Sequence, residues 1–196
     1  AAIQSKIGTD LIEDLPIKFT AVAADIAAEK EHWFQSGPID QAIRASVSLP
    51  LFFTPYNVGG VQLIDGGILN PTPIEPTLGD DTDLTLAVDL GGSMMKEAIP
   101  EPEKAQSSWQ QKMDDFLDSM KSSESKPKDE WDMFYIADQS FNTMQNAIAR
   151  IRMADNPPDH LISIPRNKCG TLEFDRSAEM IEYGYRLAAE QLSGKL

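Results

Sequence analysis

The chain has 196 residues, 41% of them hydrophobic and 24% charged, with a formal net charge of −14. This balance suits one domain with a real core, and the acidic surplus argues against nucleic acid or anionic lipid as a partner, because both require clustered Lys and Arg. No apolar run approaches the ~20 residues that span a bilayer, and the sole Cys169 has no second cysteine to pair with, which fits a reducing compartment.

Residues 1–6 lack the basic patch and apolar run of a signal peptide, which points to the cytoplasm, with membrane association as the other option. Residues 16–25 alternate and then become apolar, a buried strand ending at Asp25. His32-Trp33-Phe34-Gln35 reads as a second short strand. Residues 39–46 form a short helix between Gly37-Pro38 and Pro50. Val58-Gly59-Gly60 turns the chain into a strand at Val61-Gln62-Leu63-Ile64. Residues 84–90 resemble a central parallel strand, ended by Gly91-Gly92.

Prolines, serines and charges dominate residues 93–130, which read as a polar connector. Within it Trp109, Met113, Phe116, Leu117 and Met120 recur at helical spacing and mark an amphipathic helix. A second helix over 131–153 carries an apolar stripe expected to be core, and Asn156-Pro157-Pro158 stops it. Residues 161–165 form a short buried strand. A last helix over 176–192 turns Met180, Ile181, Tyr183 and Leu187 inward. Three sections result: 1–92, the connector 93–130, and a helical region 131–196 with one short strand. Short apolar strands alternating with helices indicate an α/β layered domain.

The chemistry concentrates at Leu63-Ile64-Asp65-Gly66-Gly67. An apolar pair runs into one carboxylate and two glycines, the way a strand end offers a single Asp to a site. A plain turn is the competing reading, since Asp-Gly is common in turns. Two stiff apolar loops flank the motif. One supplies Leu49, Pro50, Phe52, Phe53 and Pro55 as candidate pocket walls; the other is Asn70-Pro71-Thr72-Pro73-Ile74. Between them the Asp65 carboxyl is expected to be partly desolvated and more basic than usual. A base needs a nucleophile to activate, and the Gly-x-Ser-x-Gly turn that projects one does not occur in this sequence. Ser46 and Ser48 lack its flanking glycines, and Ser93 follows Gly91-Gly92 but has no glycine in the two residues after it. His32 and His160 have no metal-ligand spacing, so no metal or cofactor is expected. A metal- or phosphate-dependent enzyme using Asp65 with Asp80, Asp81 and Asp83 is an alternative, but those three read better as a solvated turn.

The order of these motifs resembles the second half of a bacterial patatin-like phospholipase domain over about residues 8–92. It runs Ala23-Ala24-Asp25, then Gly37-Pro38 and Ala42-Ile43-Arg44-Ala45-Ser46, then Ser48-Leu49-Pro50, Phe53-Thr54-Pro55, Leu63 to Gly67, Asn70 to Ile74, and Ala87 to Gly91. The resemblance implies a partial three-layer α/β fold with a mostly parallel sheet flanked by helices. It also implies a lipid acyl hydrolase with a Ser–Asp dyad, in which Asp65, supported by Gly66 and Gly67, accepts the serine proton. The serine elbow and the Gly-rich oxyanion loop of that family have no counterpart here. The expected partners are therefore a lipid or ester substrate in the complete domain, and either the nucleophile-bearing half or a second copy covering an exposed sheet edge. A non-catalytic binding or regulatory module on the same scaffold is the other reading.

Overall fold

The computed structural model describes residues 5, 8, 10–50, 52–94, 133–170 and 173–193. The amphipathic helix expected around residues 109–120 lies outside them, as does most of the polar connector. Six strands and three α-helices are formed among the described residues: β1 (Ala21–Asp25), β2 (Lys30–Phe34), α1 (Ile39–Ser46), β3 (Tyr56–Val58), β4 (Val61–Asp65), β5 (Leu86–Gly92), α2 (Met133–Asp155), β6 (His160–Pro165) and α3 (Ser177–Leu192).

The α/β reading holds, but the strands pair differently from a mostly parallel sheet. A four-stranded sheet in the order β2-β1-β4-β3 is antiparallel throughout. Only the separate β5–β6 pair is parallel. Connection length explains the difference. β1 joins β2, and β3 joins β4, through links too short for anything but a hairpin, whereas parallel neighbours need a long crossover such as the one between β5 and β6. Gly59 and Gly60 supply the two left-handed residues of the tighter hairpin, with φ of 58° and 91°. β3 is a strand that the periodicity did not reveal. β5 runs through Gly91 and Gly92 instead of stopping before them.

The core lies between α1 and one face of the antiparallel sheet. Ala23, Ala42, Ala45 and Leu63 are fully buried, and Ile12, Phe34 and Ile39 close the cluster. Alanines on both surfaces let the helix approach the sheet closely. Leu63 is the largest apolar side chain fully buried there, a burial worth about 1.5–3 kcal/mol for a large aliphatic side chain.

β5 and the helical region are packed otherwise than their apolar periodicity implied. The stripe of α2 is not wholly core: Ala149 is buried, but Met144 and Ile151 are exposed. α3 buries no residue, and Ile181, expected inside, is 74% exposed. On β5, Val88 is 46% and Leu90 68% exposed, although such a run normally lies between helices. Periodicity marks an apolar face; it does not supply the surface that covers it. No described helix is long and apolar enough to cross a membrane.

Candidate functional site

The site is built where β4 ends. Asp65 is the last residue of that strand, in register with Ala23 of β1, and its backbone N–H donates to the Ser48 carbonyl at 3.0 Å. The chain then curls into a 3-10 turn, Gly66–Ile68. Asp65 caps this turn through Oδ1, which accepts the Gly67 N–H at 2.7 Å. Burial pushes the Asp65 carboxyl above its usual range, and the Gly67 hydrogen bond offsets part of that rise. The result is a carboxylate held in one orientation and made more basic, as a proton acceptor requires.

Asp65, Gly66 and Gly67 line a cleft of about 330 Å³. Phe19 and Val22 flank it on the β1 side, and Ile43, Ser46 and Val47 on the α1 side. Asn70, Pro71 and Pro73, from the second stiff loop, close it. The other expected wall stands elsewhere: Leu49, Pro50, Phe52, Phe53 and Pro55 are not part of this lining. That loop folds back on α1 instead. The Phe52 and Phe53 N–H groups donate to the Leu49 carbonyl, and the Arg44 guanidinium lies 5.6 Å from the ring centres of both Phe53 and Tyr56.

The serines divide by environment. Ser48 is fully buried, its Oγ accepting from Arg44 Nη1 at 2.5 Å and donating to the Arg44 carbonyl at 2.7 Å. It is a structural clamp under Asp65. Ser46 borders the cleft at the end of α1, and Ser93 is exposed. His32 packs against Phe34 with the rings tilted at 58° and their centres 4.5 Å apart, and His160 starts β6. Asp80 is ion-paired with Lys18. Among the described residues no three His, Cys, Asp or Glu side chains gather into a metal-binding group. Burial and the neighbouring Glu173 push the Cys169 thiol up, away from thiolate chemistry.

Sequence reasoning missed a polar clamp behind the cleft. Arg152 of α2 donates from Nη2 to Glu31 Oε1 at 2.7 Å and from Nη1 to Glu75 Oε1 at 3.1 Å. Asn70 Nδ2 donates to the other oxygen of each glutamate, at 2.8 Å for Glu75 and 3.2 Å for Glu31. Trp33 Nε1 adds a 2.7 Å bond to Glu31 Oε2. These groups come from β2, the loop after Asp65 and α2, so their meeting leaves no local sequence signal.

The clamp is expected to tie α2 to the sheet. Burial alone would raise the Glu75 carboxyl; hydrogen bonds from Asn70 and Arg152, with the arginine's charge, outweigh it and leave the group below its ordinary value. A carboxyl depressed in the fold stabilises the protein above its unfolded pKa, and this stability is lost as pH falls through the folded value. Arg152→Met should cost about 1–2 kcal/mol at pH 7, discounted for the arginine's partial exposure. The difference from wild type should shrink in the acid range, where Glu75, depressed in the fold, takes up its proton. Urea melts of both proteins at pH 7 and pH 4 check this; an equal deficit at both values would refute the clamp.

A family model described as patatin-like phospholipase matches residues 2–78, which include β1 to β4 and the Asp65 turn. An uncharacterized NTE family protein of Mycobacterium tuberculosis is 32% identical, the alignment covering 97% of this chain and 67% of the relative. The chain belongs to the patatin-like phospholipase family. A second mycobacterial NTE family protein is 35% identical over 88 residues, 45% of this chain and 15% of the relative. Lysophospholipase NTE1 of Pyricularia oryzae is 25% identical across 94% of this chain, which corresponds to 12% of that larger protein. This patatin-like chain thus spans about two thirds of its first mycobacterial relative and a small part of the fungal one. Likeness to the NTE proteins continues beyond the matched patatin segment into α2, β6 and α3.

Proposed function

We propose that this chain supplies the proton acceptor of a patatin-like lipid acyl hydrolase whose attacking serine lies on a segment outside these residues. One observation carries the reading: a single half-buried carboxylate at a strand end, oriented by Gly67, borders a cleft with no histidine in its lining. In the complete enzyme a serine hydroxyl attacks the ester carbonyl while Asp65 takes its proton. The proton then passes to the departing alcohol, and water releases the acyl group by the reverse exchange. The name of the fungal relative supports a lipid ester as substrate. The exposed Val88 and Leu90 of β5 suit burial against the rest of such a domain, or against a second copy. Cytoplasmic placement belongs to the same reading.

The missing Gly-x-Ser-x-Gly favours a second reading, a non-catalytic module that keeps the scaffold and has lost the chemistry. Ester turnover separates the two. Alone, the chain should show negligible hydrolysis of p-nitrophenyl esters, because it lacks both the nucleophile and an oxyanion donor, the latter worth about 3 kcal/mol. Joined to a segment bearing the serine elbow, it should turn the ester over and be inhibited by a serine-directed phosphonate. Phosphonate-sensitive turnover by the chain alone would overturn the proposal, and an inert assembled protein would favour the module.

A further inference from the structure

One face of α2 lies along the turn that carries Asp65. Gln145, Ala149 and Arg152 follow at helical spacing and therefore share that face. Ala149 is buried there, and Arg152 is fixed by Glu31 and Glu75. Two turns earlier, Gln145 reaches the Asp65 turn itself. A Cβ placed on Gly67 would lie 2.9 Å from Gln145 Nε2 and 3.0 Å from Asp65 Oδ1. The amide and the carboxylate are thus neighbours across the space that glycine leaves open. Gly67 serves twice: its N–H holds the carboxylate, and its missing side chain admits the helix's amide. The next helical residue is placed similarly, with Asn146 Oδ1 2.2 Å from where a Cβ on Gly91 would sit. Gly91 also caps onto an aspartate two residues before it, its N–H donating to Asp89 Oδ1 at 2.9 Å.

We infer that Gln145 is a positioning residue for Asp65: a small rotation of its side chain, open to it in this chain, lets Nε2–H donate to the carboxylate and fix which oxygen faces an incoming hydroxyl. The inference rests on the proposed role of Asp65 as base. Among the described residues the Gln145 amide has no hydrogen bond of its own, so a small side-chain rotation toward Asp65 breaks nothing. No charged side chain contributes to the Asp65 carboxyl, which answers to burial and Gly67 alone. A new donor there therefore acts without competition from an ion pair. Arg152 sets the helix register that keeps Gln145 in reach, so site and clamp form one device joining the first section of the chain to its helical region.

The test is the titration of the Asp65 side-chain carboxyl, followed by carbon-13 NMR in this chain, in wild type and two variants. Gln145→Met keeps length and helix propensity but removes the donor, and should raise the Asp65 midpoint by roughly half a pH unit or more. Gln145→Lys keeps a donor and adds a positive charge, and should lower it by a similar amount. A merely packing role would move both variants the same way or neither; either result overturns the inference. Met and Lys are both good helix formers, and the Gly67 amide signal reports whether the turn stays folded. The outcome is independent of turnover. Opposed shifts combined with an active Asp65→Asn enzyme would refute the proposed function and leave the Gln145–Asp65 coupling intact.

Discussion

Asp65→Asn is expected to lower ester turnover about 10²–10⁴-fold in the enzyme that holds this chain together with its serine, the usual worth of a general base, without loosening the fold. Asn keeps the shape of the side chain and an oxygen able to accept the Gly67 N–H. It loses the capacity to take a proton. The stability arm of the experiment follows from the direction of the shift. A carboxyl whose pKa is raised in the fold contributes stability that is fully present below its unfolded pKa and is lost as pH rises through the folded value. At pH 7 the charged Asp65 is therefore a liability to the fold, and the neutral amide removes it. Calorimetry should find the variant's melting temperature equal to or above wild type at pH 7, with the gap closing as pH falls below the ordinary aspartate range. Lost activity with unchanged stability marks a residue retained for chemistry. A large drop in melting temperature would instead make Asp65 a structural cap.

Gly66→Ala should do the opposite, damaging the fold first and the site as a consequence. Immediately after Asp65 the chain passes so close to β1 that a Cβ on Gly66 would lie 2.3 Å from the Val22 carbonyl oxygen and 2.6 Å from its carbon. Both are backbone atoms of a strand paired on both sides, β2 and β4, so they have nowhere to move. Overpacking against so rigid a neighbour costs about 3 kcal/mol, roughly a 10 °C fall in melting temperature for a chain of this size. The two glycines of the motif therefore differ in kind. At Gly67 an added methyl group meets the tips of two flexible side chains, whereas at Gly66 it meets the main chain. Thermal melts of Gly66→Ala check this directly, and a shift of under 2 °C would mean that β1 yields more easily than its pairing implies.

Much of the first section was legible from local order. The helix over 39–46 is found at those residues because Gly37-Pro38 starts it and its alanines and isoleucines recur with helical period. The Gly59-Gly60 turn and the strand into Asp65 were visible for equally local reasons, as was the carboxylate at a strand end; the strand before that turn was not. The stiff loop at 70–74 does line the cleft through Asn70, Pro71 and Pro73. Its counterpart at 49–55 does not, because Arg44 draws Phe53 and Tyr56 back onto α1 through contacts that residue type alone cannot rank.

In the region from residue 131 onward the helices were readable and their environment was not. The periodicity of α2 and α3 marks apolar faces, yet α3 buries nothing and β5 leaves Leu90 exposed. The direction of each strand likewise depended on which partner it found. The meeting of Glu31, Asn70, Glu75 and Arg152 spans 121 residues of chain, and the approach of Gln145 to Gly67 spans most of that distance. Local order along the chain thus specified most of the elements, the Gly59-Gly60 turn and one acidic turn, since each depends on neighbours within a few positions. Pairing direction, burial of the apolar faces and the groups gathered around Asp65 depend on contacts between remote segments, and folding alone brings those together.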